Sequence, residues 1–134
     1  FLIYELQKIR SDLEIHGLDV SEYAINHSKK EIKDRLIQGC ATNLPWSENY
    51  FDLVISINTL HCLPIFSLIK AFKEIERVSK EYKYVCVESY RNEIEKANLL
   101  YWQVTCECFF SPEEWNWIYE TSDYKGDYSY IFFE

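Results

Sequence analysis

The stretch GCATNLPWSENYFDLVISINTLHCL, residues 39–63, decides the fold of this chain. It contains a polar loop marked by Pro45 and, over residues 50–58, a nearly continuous apolar run. Such runs are typical of strands that are covered on both faces, as in parallel sheets. The stretch therefore predicts a loop that leads into a buried parallel strand.

The sequence on either side alternates between helical and strand patterns. In chain order, it predicts a helix over 1–10, a strand over 13–18, a helix over 21–35 with Ser21 as N-cap, a strand over 35–39, the strand over 50–58, a helix over 65–78, a strand over 82–90, a helix over 92–104, a helix that begins after Ser111 and a final strand after Gly126. Alternating strands and helices favour an α/β fold with a mostly parallel sheet. The clearest local signal is Ser111-Pro112-Glu113-Glu114, which predicts a capping box.

Composition narrows the classes of partner. The 134 residues carry 14 basic and 22 acidic side chains, a formal charge of −8. Nucleic acids and anionic membrane surfaces attract basic proteins, so we expect neither as a partner. No apolar stretch approaches the roughly 18 residues that a membrane span requires. The five cysteines lie partly within apolar runs, which favours reduced thiols and a cytoplasmic location over a disulfide framework.

Asp19 ends the predicted strand over 13–18, two residues before the next helix begins. In open α/β sheets, ligands bind outside the carboxyl ends of the strands. A carboxylate there suits a ribose, because its two oxygens accept hydrogen bonds from neighbouring hydroxyls. The alternative is that Asp19 is only a turn residue before a helix.

The segments GLDVSEYAI, GCATNLPWSENYFDLVISINTLHCL and YKYVCVESY together resemble the class I S-adenosylmethionine (SAM)-dependent methyltransferases, and more narrowly the methyltransferase type 11 branch. The resemblance covers nearly the whole chain, and its most specific part is NLPW followed by FDLVISINTLHCL. It implies a Rossmann-like sheet of seven strands in the order 3-2-1-4-5-7-6, with one antiparallel strand. It also implies SAM as cofactor and a small-molecule methyl acceptor.

The resemblance assigns the cofactor to residues at the carboxyl ends of the strands. Asp19 would bind the ribose hydroxyls, and Val20 would lie against the adenine. Ala41 and Thr42 would present their backbone to the adenine edge, and Leu44 would form a wall of the adenine pocket. Asn58 and Thr59 would lie beside the methionine part of the cofactor.

The sequence departs from the family pattern in two ways. Cys40 stands where the family usually has an acidic or polar residue that accepts a hydrogen bond from the adenine amino group. The glycine-rich loop that follows the first strand of the family is missing, and so is that central strand. We therefore interpret residues 1–134 as a single partial methyltransferase domain that is truncated at its N-terminus.

A missing central strand has a physical consequence. Two rows of backbone groups would lack partners, at about 1–3 kcal/mol for each buried group. We expect the gap to be filled by another chain, in a homodimer or by strand exchange, or to be closed by re-pairing. We also expect the isolated chain to be inactive and to bind SAM weakly or not at all.

The candidate catalytic residues are His61, just past the strand over 50–58, Glu88 at the end of the next strand, and Tyr90 two residues further on. Methyl transfer is an in-line displacement in which the protein mainly aligns the nucleophile and removes a proton where needed. His61 has a suitable ordinary pKa, near 6.5. Alternatively, His61 packs under the next helix, and Glu88 and Tyr90 lie in a solvated loop.

Other patterns favour structural roles. The aromatic residues of the C-terminal third (Trp102, Trp115, Trp117 and Tyr124) fit core or dimer packing better than a substrate pocket. Cys106, Cys108 and His61 lack the paired spacing of a metal site, so we expect no metal.

Two further functions remain open. A nicotinamide-dinucleotide-binding domain would also end a strand on an acid, although the segment after residue 39 favours a methyltransferase. A non-catalytic, methyltransferase-like binding or structural subunit is the other alternative, and Cys40 and the missing loop favour it.

Overall fold

The computed structural model describes residues 2–134, which divide after Pro45 into two compact units. The first unit contains helix α1 (Leu2–Ile9), strand β1 (Gly17–Asp19), helix α2 (Glu22–Asn26), a 3-10 helix (Lys30–Arg35) and strand β2 (Leu36–Gln38). The second unit contains strand β3 (Phe51–Ile57), a 3-10 turn (Leu60–Cys62), helix α3 (Ile65–Val78), strand β4 (Ser79–Glu88), helices α4 (Glu93–Trp102) and α5 (Pro112–Thr121) and strand β5 (Asp127–Ile131).

The sheet of the first unit has two parallel strands, β1 and β2, with Asp19 opposite Gln38. Gly17 lies close to the side chains of Ile3 in α1 and Leu36 in β2, so a Cβ atom at this position would require both side chains to move. The predicted strand over 13–18 is shorter and later in the chain, over Gly17–Asp19.

The predicted helix over 21–35 breaks in the middle. Ser21 caps α2 as predicted, its Oγ accepting a hydrogen bond from the Ala24 amide at 3.1 Å. The α-helix then ends at Asn26, and a separate 3-10 helix follows. Side chains at the break take the carbonyls of the preceding turn: His27 Nδ1 lies 2.8 Å from the Tyr23 carbonyl and Ser28 Oγ donates to that of Ile25 at 2.7 Å. The Ser28 hydroxyl offers the Ile25 carbonyl an alternative to the next helical hydrogen bond, and the helix ends there.

The sheet of the second unit has the order β3-β4-β5, and both strand pairs are parallel. Helix α3 buries Leu68, Phe72 and Ile75, and it packs against β4. The Phe72 ring lies 5.4 Å from the ring of Tyr119 on α5. The predicted helix over 65–78 is thus confirmed, and the aromatic residue Trp115 belongs to the core.

Strand β3 differs from its prediction. Leu53, Ile55 and Ile57 point to one face of the strand and are exposed, so the strand is not covered on both faces. β3 is also an edge strand of its sheet, as β1 is of its own. Within residues 2–134 every strand pair is parallel, so the antiparallel strand that the resemblance implies is not among them.

The capping box of α5 forms as predicted. Ser111 Oγ accepts a hydrogen bond from the Glu114 amide, and the Glu114 carboxylate accepts one from the Ser111 amide at 2.7 Å. The helix that it starts carries Trp115 and Ile118 into the core.

We expect Ser111→Ala to lower the free energy of unfolding by about 1 kcal/mol, because the Glu114 amide then loses its partner. Urea unfolding monitored by circular dichroism measures this. Ser47→Ala, in an exposed loop, is the matched control and should leave the midpoint unchanged. Equal effects of the two substitutions would contradict the role of the cap.

Candidate functional site

In the first unit, the strand pairing brings Asp19 and the loop after β2 to the same end of the sheet. Asp19 is the last residue of β1, and its carbonyl accepts a hydrogen bond from the Gly39 amide at 3.0 Å. Gln38 Nε2 donates to the Val20 carbonyl at 3.4 Å. The predicted neighbourhood of Asp19 and the loop that begins at Gly39 is therefore present.

The Asp19 side chain is exposed and held in place. Its Oδ1 accepts a hydrogen bond from the Ser21 amide at 2.8 Å, an arrangement that links the carboxylate to the start of α2. Val20, beside it, is 71% exposed. An oriented acid beside an exposed apolar side chain suits a ligand that has both a hydroxyl-bearing ring and a flat apolar face.

The loop after Gly39 begins with a turn in which the Asn43 amide donates to the Cys40 carbonyl at 3.0 Å. The Thr42 hydroxyl donates to Cys40 Sγ at 3.1 Å, and this lowers the pKa of the exposed Cys40 thiol. Ala41, Thr42 and Leu44 are half-buried. Cys40 therefore presents sulfur, a weak acceptor, where the family usually has an oxygen.

In the second unit, β3 ends in a left-handed residue. Asn58 has φ 52°, which asparagine tolerates better than most side chains, and its amide donates to the Cys86 carbonyl at 3.0 Å. The Thr59 hydroxyl donates to the Ile57 carbonyl at 3.0 Å. Asn58 and Thr59 are both exposed at the carboxyl end of β3, where the resemblance places the methionine part of the cofactor.

His61 and Glu88 meet inside the second unit. His61 lies in the 3-10 turn after β3, Glu88 is the last residue of β4, and His61 Nε2 lies 3.5 Å from Glu88 Oε2. Their exposed fractions are 0% and 1%. The structure therefore brings together two of the three candidate catalytic residues, but it encloses both of them.

Two residues that the sequence did not predict hold Glu88. Gln103 Nε2 donates to Glu88 Oε1 at 2.6 Å, and the Trp115 indole Nε1 donates to the Glu88 carbonyl at 3.1 Å. Gln103 follows the end of α4 and Trp115 lies in α5, so Glu88 joins both helices to β4. No local sequence pattern links these positions, because the contacts span 15 and 27 residues.

The polar atoms between His61 and Glu88 lack hydrogen bonds. Within residues 2–134, neither ring nitrogen of His61 has a hydrogen-bond partner of acceptable geometry, and neither has the Oε2 atom of Glu88. Burial lowers the pKa of His61 from its ordinary value near 6.5, and the nearby Glu88 only partly offsets this. The imidazole is therefore neutral at pH 7.

Tyr90, the third candidate, has different neighbours. Its hydroxyl donates to Glu114 Oε2 at 3.4 Å, and Lys96 Nζ lies 4.9 Å from its ring centroid. These contacts direct Tyr90 toward the first turn of α5.

All five cysteines are free thiols. Burial raises the pKa of Cys106 to about 12 and that of Cys108 to about 11, so neither is a thiolate at pH 7. In the described part of the chain, no three His, Cys, Asp or Glu side chains are arranged to hold a metal ion.

Comparison with known proteins identifies the family. Residues 2–87, well over half of the chain, match the "Methyltransferase domain" family (Methyltransf_11). The chain belongs to this family of class I SAM-dependent methyltransferases. The uncharacterized methyltransferase YdaC of Bacillus subtilis is 33% identical over 61 residues, 43% of this chain and 34% of that protein. The demethylmenaquinone methyltransferase of a Geobacillus species is 29% identical over 129 residues, 84% of this chain and 54% of that protein.

Solved structures agree on the Rossmann-like fold. The YcgJ protein of Bacillus subtilis superposes with a TM-score of 0.64 at 20% identity, over 81% of this chain and 51% of that one. A SAM-dependent methyltransferase from Thermotoga maritima superposes with a TM-score of 0.52 at 23% identity, over 90% of this chain and 69% of that one.

The chain spans about half the length, or less, of the curated relatives that it matches. Among the described helices, none has the length and apolar character to cross a bilayer.

The lowered pKa of His61 predicts a pH dependence of stability. The unfolded chain binds a proton at His61 near pH 6.5, whereas the folded chain binds it only at lower pH. Stability from this residue is therefore complete above about pH 6.5 and is lost as the pH falls through the folded pKa. Urea unfolding between pH 7.5 and 5.5 should show this loss. His61→Phe should flatten the profile, and an unchanged slope would contradict the assignment.

A second prediction concerns Glu88. We expect Glu88→Leu to destabilise the fold by about 1–3 kcal/mol, because the side-chain amide of Gln103 loses its acceptor. Glu88→Gln should cost under about 1 kcal/mol, since its oxygen still accepts from Gln103. Urea unfolding at pH 7.5 compares the two. Equal losses would mean that the negative charge, and not the hydrogen bonds, matters.

Proposed function

We propose that this chain is part of an enzyme that transfers a methyl group from SAM to a small-molecule acceptor. The observation that carries the proposal is Asp19, which is exposed at the carboxyl end of β1 and oriented by the Ser21 amide. Membership of the methyltransferase family supplies the cofactor. The acceptor class rests on the resemblance of the loop and strand over residues 39–63.

Within the first unit, Asp19 would accept hydrogen bonds from the ribose hydroxyls while Val20 covers one adenine face. The backbone at Ala41 and Thr42 would meet the adenine edge, and Leu44 would close its pocket. Cys40 offers no oxygen to the adenine amino group, so recognition of that group would depend on backbone carbonyls.

Within the second unit, Asn58 and Thr59 would lie beside the methionine part of the cofactor. SAM carries its own leaving group, so the main task of these residues is alignment. His61 and Glu88 are our candidates for handling the acceptor proton. Their enclosure favours a positioning role, in which the buried pair holds the turn that follows Asn58 and Thr59.

We further propose that the chain is a fragment of a longer methyltransferase. Supporting this, β1 and β3 each leave a backbone edge open, and the curated relatives are about twice as long or more. The glycine-rich loop of the family is missing from this sequence, so we expect the chain alone to be inactive and its affinity for SAM to be weaker than micromolar.

Cys40 favours a second candidate function, a methyltransferase-like subunit without catalytic activity. The thiol stands where the family usually has an acceptor for adenine, and replacing an oxygen by sulfur weakens that hydrogen bond. Such a subunit would keep the fold and lose the cofactor.

Alkylation of Cys40 tests the proposal. The exposed thiol with its lowered pKa should react first with iodoacetamide, ahead of the half-buried Cys106 and the buried Cys108. Millimolar S-adenosylhomocysteine should slow this reaction, and NAD at the same concentration should not. Mass spectrometry of the peptide that contains Cys40 gives the rate.

Asp19→Ala should abolish the protection, because the ribose loses its acceptor. Asp34→Ala is the matched control, an exposed acid in the 3-10 helix of the same unit, and it should keep the protection. Equal protection by NAD would favour a dinucleotide site. No protection at any concentration would favour the non-catalytic subunit.

A further inference from the structure

Helix α4 carries an apolar stripe on its outer face. Ile94, Ala97 and Tyr101 follow one another at spacings of three and four residues, which places them on one side of the helix. Ile94 is 74% exposed and Tyr101 is 90% exposed. The opposite side of the helix is the packed one, with Glu95 and Leu99 buried. The helix therefore has two faces, and the outer one is apolar and uncovered.

The stripe extends along its flank and past the end of the helix. Leu100 is 52% exposed beside it, and Val104, two residues after α4 ends, is 94% exposed. Tyr101 alone exposes about 200 Å² of an aromatic side chain, and the three aliphatic side chains bring the exposed area to on the order of 500 Å². Contiguous apolar patches of a few hundred Å² on a monomer mark interaction sites.

We propose that this surface, formed by Ile94, Ala97, Leu100, Tyr101 and Val104, packs against the same surface of a second copy of the chain. Two such faces would bury about 1,000 Å², the lower limit for a specific protein interface. The pairing is isologous, because both copies contribute the same patch.

The sequence of the stripe favours an antiparallel arrangement. When the two α4 helices run in opposite directions about a two-fold axis near Ala97, Ile94 of each copy faces Tyr101 of the other. Ala97 then lies at the crossing point, where a small side chain lets the helices approach closely. The area is small, so we expect a weak dimer that dissociates on dilution.

Sedimentation equilibrium over roughly 1–300 µM should show the average mass rising from one chain toward two, as expected for a micromolar dissociation constant. Ile94→Lys and Tyr101→Glu should each leave the chain monomeric over this range, because each places a charge in an apolar contact. Phe66→Glu is the matched control, since Phe66 is 85% exposed outside the stripe, and it should keep the wild-type behaviour.

Mixing the two variants tests the arrangement. In a mixed dimer, the lysine introduced by Ile94→Lys in one copy meets the glutamate introduced by Tyr101→Glu in the other. The second contact of that dimer keeps Ile94 and Tyr101, so an equimolar mixture should regain association. A wild-type chain that stays monomeric at roughly 300 µM would overturn the proposal. So would a Phe66→Glu variant as impaired as Tyr101→Glu, or a mixture that stays monomeric although circular dichroism shows both variants folded.

Discussion

The buried carboxylate of Glu88 is the contact on which the second unit depends. It ends β4, accepts a hydrogen bond from Gln103 after α4 and lies against His61 in the turn after β3, while its carbonyl accepts one from Trp115 in α5. Four segments far apart in sequence thus meet at one residue. A buried polar group tolerates few alternatives, because any rearrangement leaves a donor or acceptor without a partner. The same carboxylate lies 3.5 Å from His61 in the turn that follows Asn58 and Thr59.

Local signals made much of this fold predictable. The capping box at Ser111, the helix over Ile65–Val78 and the N-cap Ser21 all follow from neighbouring residues, and the structure confirms them. The break after Asn26 was missed, because propensity along a helix does not reveal that Ser28 captures a backbone carbonyl. In the candidate site, the sequence named His61 and Glu88, but Gln103 could not be predicted, since nothing local relates it to Glu88.

The exposed face of β3 shows a different limit of sequence reasoning. The apolar run over residues 50–58 is typical of a strand that is covered on both sides, yet Leu53, Ile55 and Ile57 face outward. This face is uncovered in the described part of the chain. β3 is also an edge strand, so its free backbone edge can pair with a further strand.

The two exposed apolar surfaces of the second unit therefore differ in kind. At β3, both the side chains and one backbone edge are exposed, so a partner strand there can add backbone hydrogen bonds to apolar contact. At α4, helical hydrogen bonds and the Asn92 cap engage the backbone, and the uncovered surface is formed by side chains. A surface of that kind associates reversibly between folded molecules, because leaving it breaks no backbone hydrogen bond. The hydrogen-bonding state of the backbone, more than the amount of apolar area, therefore separates the edge strand β3 from helix α4, the surface that is suited to meeting a second copy.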